Sequence, residues 1–183
     1  MQTLPSISSG KSYLQFLVPL DRRRQWYRQL KSILGKMQDG GFHITVAFIH
    51  DELDKQGMEK VADVLDQELC HAVAPVITFD KLDVFTSESG EKHIVYLTAS
   101  IIPPEFTSIK DRINARLAGE GYSIGPFKLH VTLARVKTDK MDLQSLQNRI
   151  RPVSVPPITR TLKKASYCFV KGHKHPIRRW TIE

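Results

Sequence analysis

Apolar residues recur along the chain in two rhythms, one of period two and one near 3.6, and they alternate. Tyr13 to Val18 is short and apolar and stops at Pro19, which predicts a strand. Asp21 is placed to cap a helix running to about Met37, with Trp26, Leu30, Leu34 and Met37 on its buried face. Gly40-Gly41 breaks the chain, and Phe42 to Ile49 reads as a second strand. A second amphipathic helix follows, with Met58, Val61, Ala62, Leu65 and Leu69 on one face. Val76 to Thr86 and Lys92 to Ser100 form an expected hairpin about the polar turn Ser87-Glu88-Ser89-Gly90. Pro103-Pro104 opens a third helix, with the face Phe106, Ile109, Ile113 and Leu117. A strand is expected over Lys128 to Val136 and a short helix over Met141 to Ile150. Beyond the Pro152–Pro157 linker, two strands are expected, Ile158 to Val170 and Ile177 to Ile182. Residues 171–176 between them read as a loop.

The order is βαβαβ followed by βαβαββ, with no long linker. It predicts one domain over residues 1–183, of α+β or α/β class, built from two similar halves. The 41% hydrophobic content excludes a disordered chain. No apolar run approaches the roughly 20 residues of a membrane helix, so no membrane partner is expected. Met1 to Ser12 does not read as a secretory signal, and two cysteines, Cys70 and Cys168, make neither a disulfide framework nor a zinc site. A reducing cytoplasm is the expected location.

Charge is uneven. The formal net charge is +8; residues 141–183 hold nine basic and two acidic residues, a net of +7. Such a patch steers anions, phosphate and nucleic acid among them, or is a solvated face.

One phrase repeats. Residues 43–46 read His-Ile-Thr-Val and residues 130–133 read His-Val-Thr-Leu, one in each half, 87 residues apart and each followed by Ala. Residues two apart on a strand share a face. His43 therefore sits beside Thr45, with Phe42, Ile44, Val46 and Phe48 opposite; His130 sits beside Thr132, with Leu129, Val131 and Leu133 opposite. A pseudo-two-fold relation between the halves would gather two imidazoles and two hydroxyls around one point. Two histidines on opposite sides of a phosphorus atom make a base and an acid for in-line displacement. Two hydroxyls there can donate to non-bridging oxygens. That chemistry needs no metal and no cofactor.

Phe42 to Ile49 and Leu129 to Arg135 resemble the two His-x-Thr signatures of the 2H phosphoesterase superfamily, most closely its branch of RNA 2′,3′-cyclic phosphodiesterases, also called 2′-5′ RNA ligases. The resemblance implies a bilobal α+β fold with antiparallel sheets flanking a central cleft. It implies a catalytic role for His43 and His130 and phosphate binding for Thr45 and Thr132. The substrates it implies are RNA ends or cyclic-phosphate nucleotides, with 2′-5′ oligonucleotides as an alternative; a binding module without turnover is the rival from another class. Leu129 departs from the Pro that relatives often carry there. One chain supplies both halves of the site, so a monomer is expected.

Arg135 stands where the cyclic phosphodiesterase branch often has Arg. Strict alternation turns it away from His130, and it reaches substrate only if the strand bulges. Arg22, Arg23 and Arg24 crowd an expected helix start, where the macrodipole disfavours cations. His173 and His175 lie in the basic loop, with no third ligand near in sequence. Gly10-Lys11-Ser12 is no phosphate loop, because a strand follows it. Tyr13, Phe16, Tyr167 and Trp180 read as core. The basic C-terminal stretch is expected to form outer strands of the second lobe, where it could hold an RNA strand.

Overall fold

A computed structural model of the chain describes residues 10–171 and 173–183. Nine strands and four helices follow in the order β1 (Gly10–Leu17), α1 (Gln25–Leu34), β2 (His43–Leu53), α2 (Lys55–Leu69), β3 (Val76–Phe79), β4 (Lys81–Thr86), β5 (Lys92–Thr98), α3 (Pro104–Gly119), β6 (Val131–Lys137), α4 (Leu143–Ile150), β7 (Ile158–Thr161), β8 (Lys164–Lys171) and β9 (His173–Thr181). Seven strands form one sheet in the order β4-β5-β6-β2-β1-β8-β9, and β3 and β7 form a second, two-stranded sheet. Among the described residues every pairing is antiparallel. The class is α+β, as expected.

Two lobes meet at β2 and β6. Among the described residues these strands pair only at Ile44 with Val131, so the ladder does not continue on either side. Ile44 and Val131 are both 0% exposed, on the apolar face. That face is packed with Phe16, Phe106, Ile113 and Leu117, so burial pins the two strands together at their one meeting point. Helices α2 and α3 are tied by Arg112, which donates to Glu68 at 2.8 Å.

Two expected strands each prove to be two. Val76–Thr86 divides at Asp80: β3 joins the small sheet and β4 the large one. The Asp80 side chain accepts from the Ser100 backbone N–H at 2.8 Å, while its own N–H donates to Thr98 at 3.1 Å, which fixes the corner. Ile158–Val170 divides at Leu162, whose N–H donates to Pro75 at 2.9 Å. Periodicity reports which face is buried, and both segments keep a buried face while changing sheets.

The expected grouping by sequence halves is also corrected. Strands β8 and β9 return to β1 and complete the first lobe, so the basic C-terminal stretch does not build the outer strands of the second. Nor does it form one surface. Arg149 lies in α4 and Arg160 in β7, and Arg178 is held by Asp63 at 3.1 Å and by Asp66 of α2. The stretch expected as a loop is largely strand, with Lys174 to Pro176 paired in β9. At α1, Asp21 does not cap the helix. The cap position is Arg24, and the Asp21 carboxylate instead accepts from the Arg23 backbone N–H at 2.9 Å in the preceding turn. By contrast, Asp54 and Asp142 do cap α2 and α4, accepting from Gly57 and Ser145.

Candidate active site

The single β2–β6 pair determines the site's layout. With Ile44 opposite Val131 in an antiparallel register, His43 falls across from Thr132 and Thr45 across from His130. Directly opposed residues share a face, so all four stand on the face away from the core, related by a pseudo-two-fold through Ile44 and Val131. His130 lies immediately before β6 rather than within it.

Each motif strand carries a bulge at the same place. On β2, Leu14 pairs with Ala47 and Gln15 with Thr45, leaving Val46 as the extra residue. On β6, Val95 pairs with Ala134 and Tyr96 with Thr132, leaving Leu133 extra. A bulge shifts the alternation by one. Beyond it, Phe48 turns to the His43 face instead of the core, and Arg135 turns to the His130 face. The burial pattern of β2 shows this directly: Val46 and Ala47 are both buried in succession, while Phe48 is half-exposed. Arg135 thus meets the condition that alternation set for it, and Phe48 is placed opposite to expectation.

The loops before the two histidines also correspond. Leu129 and Phe42 each accept through the backbone carbonyl, from Thr98 Oγ1 at 2.6 Å and from Val18 N–H at 2.9 Å. His130 Nδ1 donates to the Lys128 carbonyl at 2.8 Å. A carbonyl can only accept, so Nδ1 carries the proton and Nε2 of the neutral ring carries the lone pair. His43 has its equivalent neighbour in Gly41, also two residues back. Its Nδ1 is buried without a partner at hydrogen-bond geometry, although the Gly41 backbone lies near enough to favour the protonated ring.

Rings and cations wall the site. Tyr13 stacks on His43 with centroids 6.0 Å apart, and Phe48 lies 6.4 Å from Tyr13. Phe85 and Tyr96 stand nearly perpendicular to the His130 ring, with centroids 5.6 and 6.0 Å from it. Lys174 donates to Gln15 Oε1 at 2.5 Å and lies 5.7 Å from the Tyr13 ring centre. On the other side, Lys128 sits 4.2 Å from the Phe85 ring centre. Arg135 donates to Gln38 Oε1.

This environment disfavours positive charge on either imidazole. Burial pushes His43 down to about 4, and the Lys174 cation adds to the effect, with smaller pushes from His130 and Arg135. His130 is lowered too, by burial first and then by Lys128 and Arg135, against the pull of its bond to the Lys128 carbonyl. Both rings are therefore neutral at pH 7 in the unliganded protein. An anion between them would meet Lys174, Lys128 and Arg135, and would raise the proton affinity of both rings. Among the described residues, the Thr45 and Thr132 hydroxyls make no hydrogen bond to protein, and no group of three His, Cys, Asp or Glu side chains could hold a metal ion.

All five expected residues, His43, His130, Thr45, Thr132 and Arg135, come together. Tyr13, Gln15, Phe48, Phe85, Tyr96, Lys128 and Lys174 were not singled out for this place. One sign of it was available: Gln15 sits amid the apolar residues of β1, and it is 2% exposed. Elsewhere, His93 is a satisfied core residue, bonded to Thr86 and to the Met141 carbonyl at 3.0 Å each.

No helix of the described residues is long and apolar enough to cross a membrane. No curated protein sequence gives a significant match. Solved structures do. A crystal structure titled simply phosphoesterase is 16% identical with a TM-score of 0.64, covering 94% of this chain and 98% of that one. LigT of E. coli, complexed with 3′-AMP, is 15% identical with a TM-score of 0.62, over 96% and 99% of the two chains. Usb1 of Kluyveromyces marxianus is 10% identical with a TM-score of 0.61, over 92% and 97%. At these identities the likeness is one of fold. The family model of the 2′-5′ RNA ligase superfamily matches residues 19–166, a span that takes in both His-x-Thr motifs, and the chain belongs to that superfamily.

Proposed function

We propose that this protein is a metal-independent phosphodiesterase, a single domain over residues 1–183, that opens 2′,3′-cyclic phosphates on RNA ends or nucleotides. The observation that carries the reading is the square of His43, Thr45, His130 and Thr132 on one face, with cations around it. A cyclic phosphate seated there receives hydrogen bonds from Thr45 and Thr132 to its non-bridging oxygens, and Arg135 offsets their charge. His130 is the base, because its Nδ1 bond to Lys128 holds the Nε2 lone pair in place. Nε2 takes a proton from water as the water oxygen bonds to phosphorus. The bond from phosphorus to the ribose 3′ oxygen breaks, and His43, brought to its imidazolium form by the bound anion, gives its proton to that oxygen. The product keeps a 2′-phosphate. If a 5′-hydroxyl replaces water, the same steps make a 2′-5′ linkage, which accounts for the alternative activity without further machinery. LigT with 3′-AMP and a Usb1 structure with uridine monophosphate (TM-score 0.58, 9% identical) support a nucleotide ligand. A cytoplasmic monomer fits a site built within one chain.

His43→Ala and His130→Ala, assayed on 2′,3′-cyclic mononucleotides, should each lose about 10²–10⁴-fold in turnover. Wild-type turnover in both variants refutes the proposal. Addition of EDTA should leave wild-type activity unchanged; abolition by EDTA refutes the metal-free steps.

A further inference from the structure

A dense concentration of unpaired charge lies outside the basic C-terminal strands. Two adjoining recesses, of about 800 and 690 Å³, share the wall Lys36–Asp39. Together they are lined by nine cations and one carboxylate, Asp39, a net of eight. Arg22, Arg28, Lys31 and Lys36 line the outer recess, along α1. Lys92, Arg135, Lys137 and Lys140 line the inner one, at the far end of β6. The ninth, Arg23, is ion-paired with Asp21 at 3.0 Å. Among the described residues the other eight have no ion-pair partner, and all are exposed.

Eight like charges gathered in one groove repel one another and persist in a stable fold only as a modest cost. A polyanion would offset that cost and release its counterions on binding. The groove also has a direction. Its inner end is Arg135, whose charge acts on both His43 and His130. Gln38, on the shared wall, accepts from Arg135 and donates its backbone N–H to the Leu133 carbonyl at 2.7 Å, so the wall is bonded to the bulge of β6. Among the described residues, the only aromatic one of its walls, Tyr27, is buried. The groove can thus hold phosphates but offers no ring for a base to stack on.

We propose that this groove is a binding track for single-stranded RNA. It would hold, by its phosphates and without regard to sequence, the strand that leads into the His–Thr site. The inference rests on the phosphodiesterase reading for the identity of the polyanion, and it makes RNA ends rather than free nucleotides the preferred substrate. A membrane surface cannot follow a groove into the sheet, and RNA is the polyanion whose own linkage matches the chemistry at the groove's inner end.

The test uses the variant Arg28→Gln/Lys31→Gln/Lys36→Gln/Lys137→Gln, which leaves Arg135 intact. The comparison is Lys164→Gln/Arg179→Gln, in the recess beside β8 and β9. The probe is a fluorescent single-stranded RNA of about twelve nucleotides with a 3′-phosphate, within the range of known single-strand sites. Anisotropy is read across a salt series, with circular dichroism to check folding. The fourfold variant should bind at least about tenfold more weakly, and its log–log salt slope should flatten by about 0.7 for each phosphate it no longer neutralises. Its kcat/KM on a cyclic mononucleotide should stay within about twofold of wild type. Unchanged RNA affinity in the fourfold variant overturns the track, as does a loss confined to Lys164→Gln/Arg179→Gln. So does a wild-type protein that binds vesicles of anionic phospholipid but not the RNA. Binding needs no turnover, so the two proposals fail separately. Track-dependent binding without cleavage of any cyclic phosphate refutes the catalytic reading alone, and cleavage without track-dependent binding refutes the track alone.

Discussion

Acidification should act on this protein through His43, whose shift is the larger of the two imidazoles' and can be isolated by substitution. Burial and the nearby Lys174 cation push His43 from 6.5 down to about 4. At 1.36 kcal/mol per pKa unit, adding a proton to His43 costs about 3 kcal/mol more in the folded chain than in the unfolded one. As pH falls, the unfolded chain takes this proton near 6.5 and the folded chain only near 4. Between those values the unfolded state binds more protons, so stability is lost on acidification. The contribution is near zero at pH 7 and reaches about 2 kcal/mol of destabilisation at pH 5. His43→Gln has no such proton to bind. Urea unfolding of both proteins at pH 7 and pH 5 should therefore show the variant gaining about 2 kcal/mol relative to wild type at the lower pH. Ring-proton NMR reads the same quantity directly, as a His43 midpoint near 4. Lys174→Gln should raise that midpoint and leave His130 in place, because Lys174 acts on His43 and not on His130. A His43 midpoint at or above 6.5, or one indifferent to Lys174, refutes the account of a buried imidazole held neutral by its surroundings.

Further outcomes follow from the same geometry. The pH profile of kcat/KM should be bell-shaped with its maximum between about 4 and 6.5, since the reaction needs one protonated and one neutral ring; a plateau centred above pH 7 contradicts this. Arg135→Gln should raise the midpoints of both histidines, by NMR, and raise KM more than it lowers kcat; unchanged midpoints place Arg135 outside the site. Gly10→Ala would set a Cβ 2.0 Å from Phe169 Cε2, so urea unfolding should show a loss of about 1–3 kcal/mol. Phe169→Leu in the same chain should recover part of it, and additive losses speak against that clash. Tyr167→Phe removes the buried donor to Ser12 Oγ, a 2.7 Å bond, and should cost about 1–3 kcal/mol. Equal stability would show that Ser12 finds another partner.

Much of the fold is legible in the chain because helices α1 to α4 and most strands have a single buried face. The strand limits blur where the chain changes sheets at Asp80 and Leu162, since a buried residue looks the same whichever sheet buries it. The place of β8 and β9 beside β1 is likewise a long-range pairing that no local pattern encodes. At the site, the pairing of His43 with Thr45 and of His130 with Thr132 is a matter of local alternation and reads correctly. Phe48 reads wrongly because alternation assumes no bulge, and nothing in Val46 or Leu133 marks one. Lys174 was hidden for a different reason. It reaches the first lobe from near the end of the chain, and its neighbours in sequence resemble a loop.

The two bulges make the halves alike in backbone and unlike in what they deliver. A nucleotide is itself lopsided, with an apolar base at one end and charged oxygens at the other, and a symmetric cradle would accept it either way round. Phe48 and Arg135 occupy corresponding positions, one a hydrocarbon ring and the other a cation. On the proposed reading, that single mismatch gives the cradle a polarity: turning the ligand end for end would put its phosphate against phenyl and its base against guanidinium. The handedness of the reaction, meaning which oxygen leaves and which ring faces it, then depends on two residues that never exchange a proton.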